Sequence, residues 1–301
     1  MRPASAGAAR AGILLCDGQS QASRARLRSR VLLGGIVASL AACRAPAPVA
    51  RELRAPDEPD PARAARQEPT APQEDDLSAQ ATDPTASLMS LSFIGDYTGA
   101  YTDDRAGLDD DGFDLNLRLA TPFQAFGQAN ILRVTVPYRL DGRGSEGLGD
   151  VAVVDVVPFD RPWGRWMVGV VASLAADPAA ADSIAAGPAW AVVTPVRKDL
   201  LLGIFQQNLF AGDTGISQFQ PVAAWQLGGG WALSAGDLQF VYDWEDSRWL
   251  AVPLGMQLGV VAPVAGQPLR FALNPQYNLV DDDGLEEWSI ALTVSLLAPT
   301  R

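Results

Sequence analysis

From Leu269 to Leu296 the chain alternates. Leu269, Phe271, Leu273 and Tyr277 are interleaved with Arg270, Ala272, Asn274, Gln276 and Asn278. After the turn Asp281-Asp282-Asp283-Gly284, Trp288, Ile290, Leu292, Val294 and Leu296 are interleaved with Ser289, Ala291, Thr293 and Ser295. A period of two is the signature of a strand, so each run presents one apolar face and one small or polar face. Two such runs joined by a Gly-containing acidic turn predict an antiparallel hairpin. A long apolar face backed by a wet one is the pattern of a barrel with lipid outside and water inside.

The same alternation governs the chain from residue 88 onward. Leu91 to Tyr101 is a weak first strand. Phe113, Leu115, Leu117 and Leu119 alternate with Asp114, Asn116 and Arg118; Leu132, Val134, Val136 and Tyr138 alternate with Arg133 and Thr135. Val151 to Phe159 is more continuously apolar, interrupted by Asp155. Further strands are expected at 165–175, 183–195, 199–210, 216–227, 231–244 and 249–262. With 231–244 taken as one bulged strand, in which Leu238, Phe240, Tyr242 and Trp244 alternate with Gln239, Val241 and Asp243, the total is about twelve; split at Ser234–Asp237, it is odd. Single-chain bacterial barrels take even numbers, with short periplasmic turns and longer outer loops. The even count puts Phe126-Gly127-Gln128, Arg161 to Gly164, Arg197-Lys198-Asp199, Gly228-Gly229-Gly230 and Ala265-Gly266-Gln267 on one side, with both termini. The more acidic connections fall on the other. Aromatic residues at strand ends, among them Phe159, Trp163, Trp166, Tyr277 and Trp288, match the girdles of a membrane barrel. The expectation is an all-β, up-and-down transmembrane barrel of about twelve strands.

Alternation alone does not say which face is wet, because a soluble barrel inverts the assignment. On the membrane reading the lumen-facing candidates are Asp114, Asn116, Arg118, Arg133, Thr135, Gln239, Asp243, Arg270, Asn274, Gln276 and Thr293. On the soluble reading the same residues face solvent.

The first third is different. Residues 24 to 30 are basic, residues 31 to 40 are apolar, and small residues follow, which is the layout of a secretory signal peptide. Leu40-Ala41-Ala42-Cys43 resembles the lipobox of bacterial lipoproteins, which implies cleavage before Cys43 and its acylation. Residues 44 to about 87 are rich in Ala, Pro, Asp, Glu and Arg and predict a disordered tether. The expected division is a signal peptide at 1–42, a tether at 43–87 and a barrel at 88–301.

Composition removes several function classes. The chain has no histidine, so the usual acid–base triads and the commonest transition-metal ligand are missing. Two cysteines, Cys16 and Cys43, make no disulfide framework and no zinc site. A net charge of −12 argues against nucleic acid as a partner. The acidic turns Asp109 to Gly112 and Asp281 to Gly284 lack the alternate-position ligands of a calcium loop, and Gly147-Leu148-Gly149-Asp150 is too short for a phosphate loop. No enzyme activity, metal or cofactor is expected. The expected partners are membrane lipid and an unidentified small molecule, in the bacterial outer membrane; a lipid-anchored barrel with a binding or structural role and no open pore is the alternative.

Arg133-Val134-Thr135-Val136-Pro137-Tyr138, then Gly147-Leu148-Gly149-Asp150, Val252-Pro253-Leu254-Gly255 and Pro275-Gln276-Tyr277-Asn278 … Glu287-Trp288 occur in the order seen in one family. Over about residues 88 to 298 the chain resembles the transporter-like outer-membrane barrels named for the meta-pathway of phenol degradation. The resemblance implies a barrel that admits hydrophobic or aromatic compounds. The chain departs from it at the end, Leu296 to Arg301, where barrel proteins often finish on Phe.

Overall fold

The computed structural model describes residues 74–101, 111–141, 146–177, 184–212, 214–280 and 285–299. The signal-peptide reading, Cys43, the first part of the expected tether, half of the acidic turn Asp109 to Gly112 and all of Asp281 to Gly284 lie outside these residues.

A short helix, α1 (Glu74–Thr82), precedes β1 (Leu88–Tyr101), β2 (Gly112–Ala125), β3 (Gln128–Asp141), β4 (Gly147–Leu148) and β5 (Val151–Arg161). Then come β6 (Gly164–Leu174), β7 (Ile184–Arg197), β8 (Leu200–Ala211), β9 (Thr214–Gly228), β10 (Trp231–Ser234) and β11 (Phe240–Asp243). The chain ends through β12 (Arg248–Ala251), β13 (Pro253–Gly255), β14 (Gln257–Val264), β15 (Gln267–Asn278) and β16 (Glu286–Pro299). Neighbours pair antiparallel, and β1 pairs along its length with β16, Leu88 opposite Pro299 and Phe93 opposite Val294. The segments β10 and β11 both pair with β9, and β10 also pairs with β14, which completes the ring. The segments therefore make a closed antiparallel barrel of twelve strands, some of them interrupted. Closure leaves no edge along which another chain adds a strand.

The expected bulged strand is broken instead. Ala235 to Gln239 leave the sheet between β10 and β11, and the stretch expected at 249–262 divides into β12, β13 and β14. Pro253 and the glycines near both breaks weaken the ladder there. The count of twelve survives because each broken strand keeps its place in the ring.

Register fixes the faces. Leu117 pairs with Phe93 and Val136, and all three turn outward; Arg118, one residue on, pairs with Ser92 and Thr135 and turns inward. Phe93, Leu117, Val170, Leu258, Leu273 and Leu292 are among many large apolar side chains left exposed on the outer face. An apolar belt of this extent is far more than a monomer leaves in water. Aromatic pairs sit near its rims: Phe159 stacks on Trp166 at 4.5 Å beside one short turn, and Tyr97 meets Trp288 edge-on at 5.9 Å near the opposite end. Asp155 interrupts the belt. It pairs with Leu132 and Val170 on the outer face, and its Oδ1 is buried with no hydrogen-bond partner.

The inner face is not polar all round. Ile131, Val154, Val156, Met167, Val171, Phe205 and Val222 close into an apolar cluster on the inner side of β3 and β5 to β9. Of these strands β5 to β7 are largely apolar on both faces where the cluster sits, and in β5 this is the continuous run from Val151 to Phe159.

Candidate functional site: the barrel interior

The interior holds a cavity of about 160 Å³ between two unlike walls. Ile131, Val154, Val156, Met167, Phe205 and Val222 form the apolar wall. Ser92, Arg118, Arg133, Gln257, Arg270, Thr293 and Asp237 form much of the rest. Arg118 Nη1 donates to Asp237 Oδ2 at 2.8 Å and its Nε to Thr135 Oγ1 at 3.4 Å. The Arg133 guanidinium lies over the Phe205 ring, 5.1 Å from its centre. Arg270, 9% exposed, donates to Gln257 Oε1. Among the described residues neither Arg133 nor Arg270 has a carboxylate within ion-pair distance. Asp237 lies in the field of all three arginines.

The break between β10 and β11 is what brings Asp237 inside. Gly236 has φ +64° and a Cβ there would come within 2.8 Å of Gln257 Cβ and 2.9 Å of Asn274 Nδ2, so only glycine lets the chain turn this close to the wall. Gln220 Nε2 donates to the Gly236 carbonyl at 3.1 Å, and the Ala235 N–H donates to the Ala223 carbonyl at 2.8 Å.

The other sequence-derived candidates lie elsewhere. Asp114 accepts from Arg139 at 3.2 Å and pairs across the sheet with Asp96; with Glu286 these form an acidic group near the long-loop end. Asn116, opposite Ile94 and Pro137, is half-buried on the inner face. Asn274 is 1% exposed and Gln276 half-buried, neither lining the cavity. Gln239 falls in the break and is half-buried away from it. Asp243 accepts backbone N–H bonds from Glu245 at 2.8 Å and Asp246 at 3.4 Å, so it braces the β11–β12 turn. Of the eleven, the cavity gathers Arg118, Arg133, Arg270 and Thr293. Sequence reasoning missed Asp237 and Gln257. Gly236-Asp237 was visible as a turn, but nothing local says that the turn points inward.

Residues 74–87 lie in the stretch expected to be a tether, yet they are folded against the barrel's short-turn end. Acidic Glu74, Asp75 and Asp76 suit the first turn of α1, where the helix dipole favours negative charge. Asp83-Pro84 ends it, since the residue before proline avoids the helical region. A helix of nine residues is marginal alone. Here Leu77 packs on Leu88, Val261 and Leu297. Asp75 Oδ1 accepts the Gly230 N–H at 2.7 Å, Gln226 Nε2 donates to Thr82 Oγ1 at 3.0 Å, and Arg165 Nη1 donates to the Thr85 carbonyl at 2.7 Å. Gln80, Asp83 and Ala86 line the inner cavity and also a second one of about 500 Å³ beside the turn Arg197-Lys198-Asp199. The segment thus stands between the two. Burial raises the Asp83 carboxyl above its ordinary value of 3.8, against the hydrogen bonds from Thr85.

No family model matches the chain, and no curated protein matches it. Solved structures do resemble it at low identity. The NanC porin is 12% identical, with a TM-score of 0.47 over 68% of this chain and 98% of the porin. An outer-membrane channel from Pseudomonas putida F1 is 10% identical, with a TM-score of 0.47 over 72% of this chain and 99% of the channel. The Salmonella typhi outer-membrane phospholipase, solved as a dimer with calcium, is 9% identical with a TM-score of 0.29 over 76% of this chain and 99% of the phospholipase.

Proposed function

We propose that this chain is a bacterial outer-membrane channel for small molecules, with residues 74–87 docked across its short-turn mouth. The observation that carries the reading is the pairing of an apolar outer belt with an inner cavity walled on one side by charged side chains. A soluble barrel would place those charges outside and the belt inside. The reading includes a signal peptide at 1–42, acylation at Cys43 and passage rather than catalysis as the role. An acyl chain contributes about 0.8 kcal/mol per buried CH₂, so two or more anchor the N-terminus firmly. Both barrel ends and the docked segment share the short-turn side, the periplasmic side of a bacterial barrel, where an acylated N-terminus in the inner leaflet also lies.

The second reading, an anchored barrel with no open path, is favoured by the docked segment itself, because Gln80, Asp83 and Ala86 stand between the two cavities. Osmotic swelling of liposomes containing the full chain separates the two. Swelling in small solutes that increases when Leu77→Asp loosens the segment supports a channel. No swelling from either protein supports the sealed barrel.

A further inference from the structure

The inner cavity is amphiphilic, and its charges do not balance. Arg118, Arg133 and Arg270 converge on it against two lining carboxylates, Asp237 among them and Asp83 on the docked segment, whose charged neighbours are Arg165 and Asp160 instead. Asp237 is committed to Arg118, leaving Arg133 on the face of Phe205 and Arg270 on an amide oxygen. Guanidiniums held in an interior cavity, with donors left over, are built to accept a planar oxyanion in bidentate geometry. The opposite wall, with Ile131, Val154, Val156 and Met167, offers such an anion nothing polar. It suits an apolar body. A dry cavity of about 150 Å³ accommodates a benzene ring, and this one measures about 160 Å³.

We propose that the cavity binds a small organic carboxylate with an apolar body of about one ring, its carboxylate on Arg118, Arg133 and Arg270 and its body on the Met167–Phe205 wall. The inference deepens the channel reading and rests on it for the ligand's passage, though not for its binding. The acidic group at the long-loop end opposes an anion's approach. Asp114 stands four residues from Arg118 along β2, about 13 Å at the strand rise of ~3.3 Å per residue. The three guanidiniums line the cavity itself, and Coulomb attraction falls with distance, so at the cavity the arginines dominate. The same polarity orients the ligand, carboxylate toward the arginines.

Calorimetric titration of the full chain in detergent micelles tests this with sodium benzoate and with benzyl alcohol, which keeps the ring and loses the charge. Benzoate should bind saturably and at least about tenfold more tightly, since it gains charge-assisted hydrogen bonds that the alcohol lacks. Arg133→Gln should weaken benzoate about tenfold. Asp237→Asn should strengthen it severalfold, because the competing internal anion is gone; a variant that merely disturbed the fold would bind less. Equal affinity for the two probes, no benzoate binding, or a loss of affinity in Asp237→Asn overturns the proposal. Conductance in a bilayer, recorded separately, keeps the two readings apart. Benzoate binding without conductance supports the site and sinks the channel. Conductance with no benzoate binding sinks the site and leaves the channel.

Discussion

Arg118 and Asp237 meet at 2.8 Å across 119 positions of sequence, joining the inner face of β2 to the break between β10 and β11. Their side chains keep 25% and 34% exposure to the cavity, so water reaches both. Asp237→Ala should therefore destabilise the barrel by about 1–2 kcal/mol, below the ~3–5 of a dry buried pair. Urea unfolding in micelles measures it, and a double-mutant cycle with Arg118→Ala should recover most of the loss as coupling. Independent effects of the two substitutions would mean that the contact carries nothing.

The outer face gives a second prediction. Leu292 is 55% exposed in the belt and Thr293 is 5% exposed inside. Leu292→Arg should cost about 2–4 kcal/mol in a bilayer, as charges on a lipid face do near the midplane. Thr293→Ser should cost less than about 1 kcal/mol, because it deletes one methyl beside a cavity. Folding into liposomes, followed by the gel shift between heated and unheated protein, reads both. Arginine tolerated at Leu292 would mean that water, not lipid, surrounds the barrel.

Asp155 is the exception within the belt, with Oδ1 buried and unpartnered. Asp155→Leu should stabilise the folded protein in lipid by about 1–3 kcal/mol, by removing an unsatisfied polar group. A destabilised Asp155→Leu protein would show that the carboxylate has a partner in the membrane.

Much of this was legible in the chain, for a definite reason. Alternation reports each strand's own two faces, so the separation of Leu117 and Leu292 from Arg118 and Thr293 follows from the period, although which face turns outward does not. So do the short turns, where Gly127 and Gly266 adopt positive φ. What was not legible depends on distant neighbours. Leu77 and Ala81 look like scattered apolar residues in a polar tract until Leu88, Val261 and Leu297 are placed beside them. Asp237 reads as a turn residue until closure sets it against Arg118. Met167 and Val171 belong to strands apolar on both faces, and the period cannot tell the lipid side from an apolar inner wall.

Acid should close the mouth. The folded-state pKa of Asp83 lies above 3.8, so docking of residues 74–87 disfavours the ionised carboxylate. Docking is weakest at neutral pH, gains stability as pH falls through the raised pKa, and levels off below the ordinary value. Asp199, held down to about 2 by Arg197 and Trp225, stays ionised across that window. Protease cleavage within residues 74–87 should therefore slow as pH falls from 7 toward 4, measured with an acid-tolerant protease, and Asp83→Asn should remove the dependence. An unchanged slope in Asp83→Asn would assign it to another group.

A barrel that spans a membrane, encloses a path and carries residues 74–87 across one mouth conducts in a way that the docked segment limits. Single-channel recording in a planar bilayer tests it most directly, with the full chain beside Leu77→Asp, which sets a charge where Leu77 is 3% exposed against Val261 and Leu297. Brief or small openings are expected from the full chain and larger, longer ones from Leu77→Asp. A silent bilayer from both, with each protein shown to be folded and inserted, would contradict it.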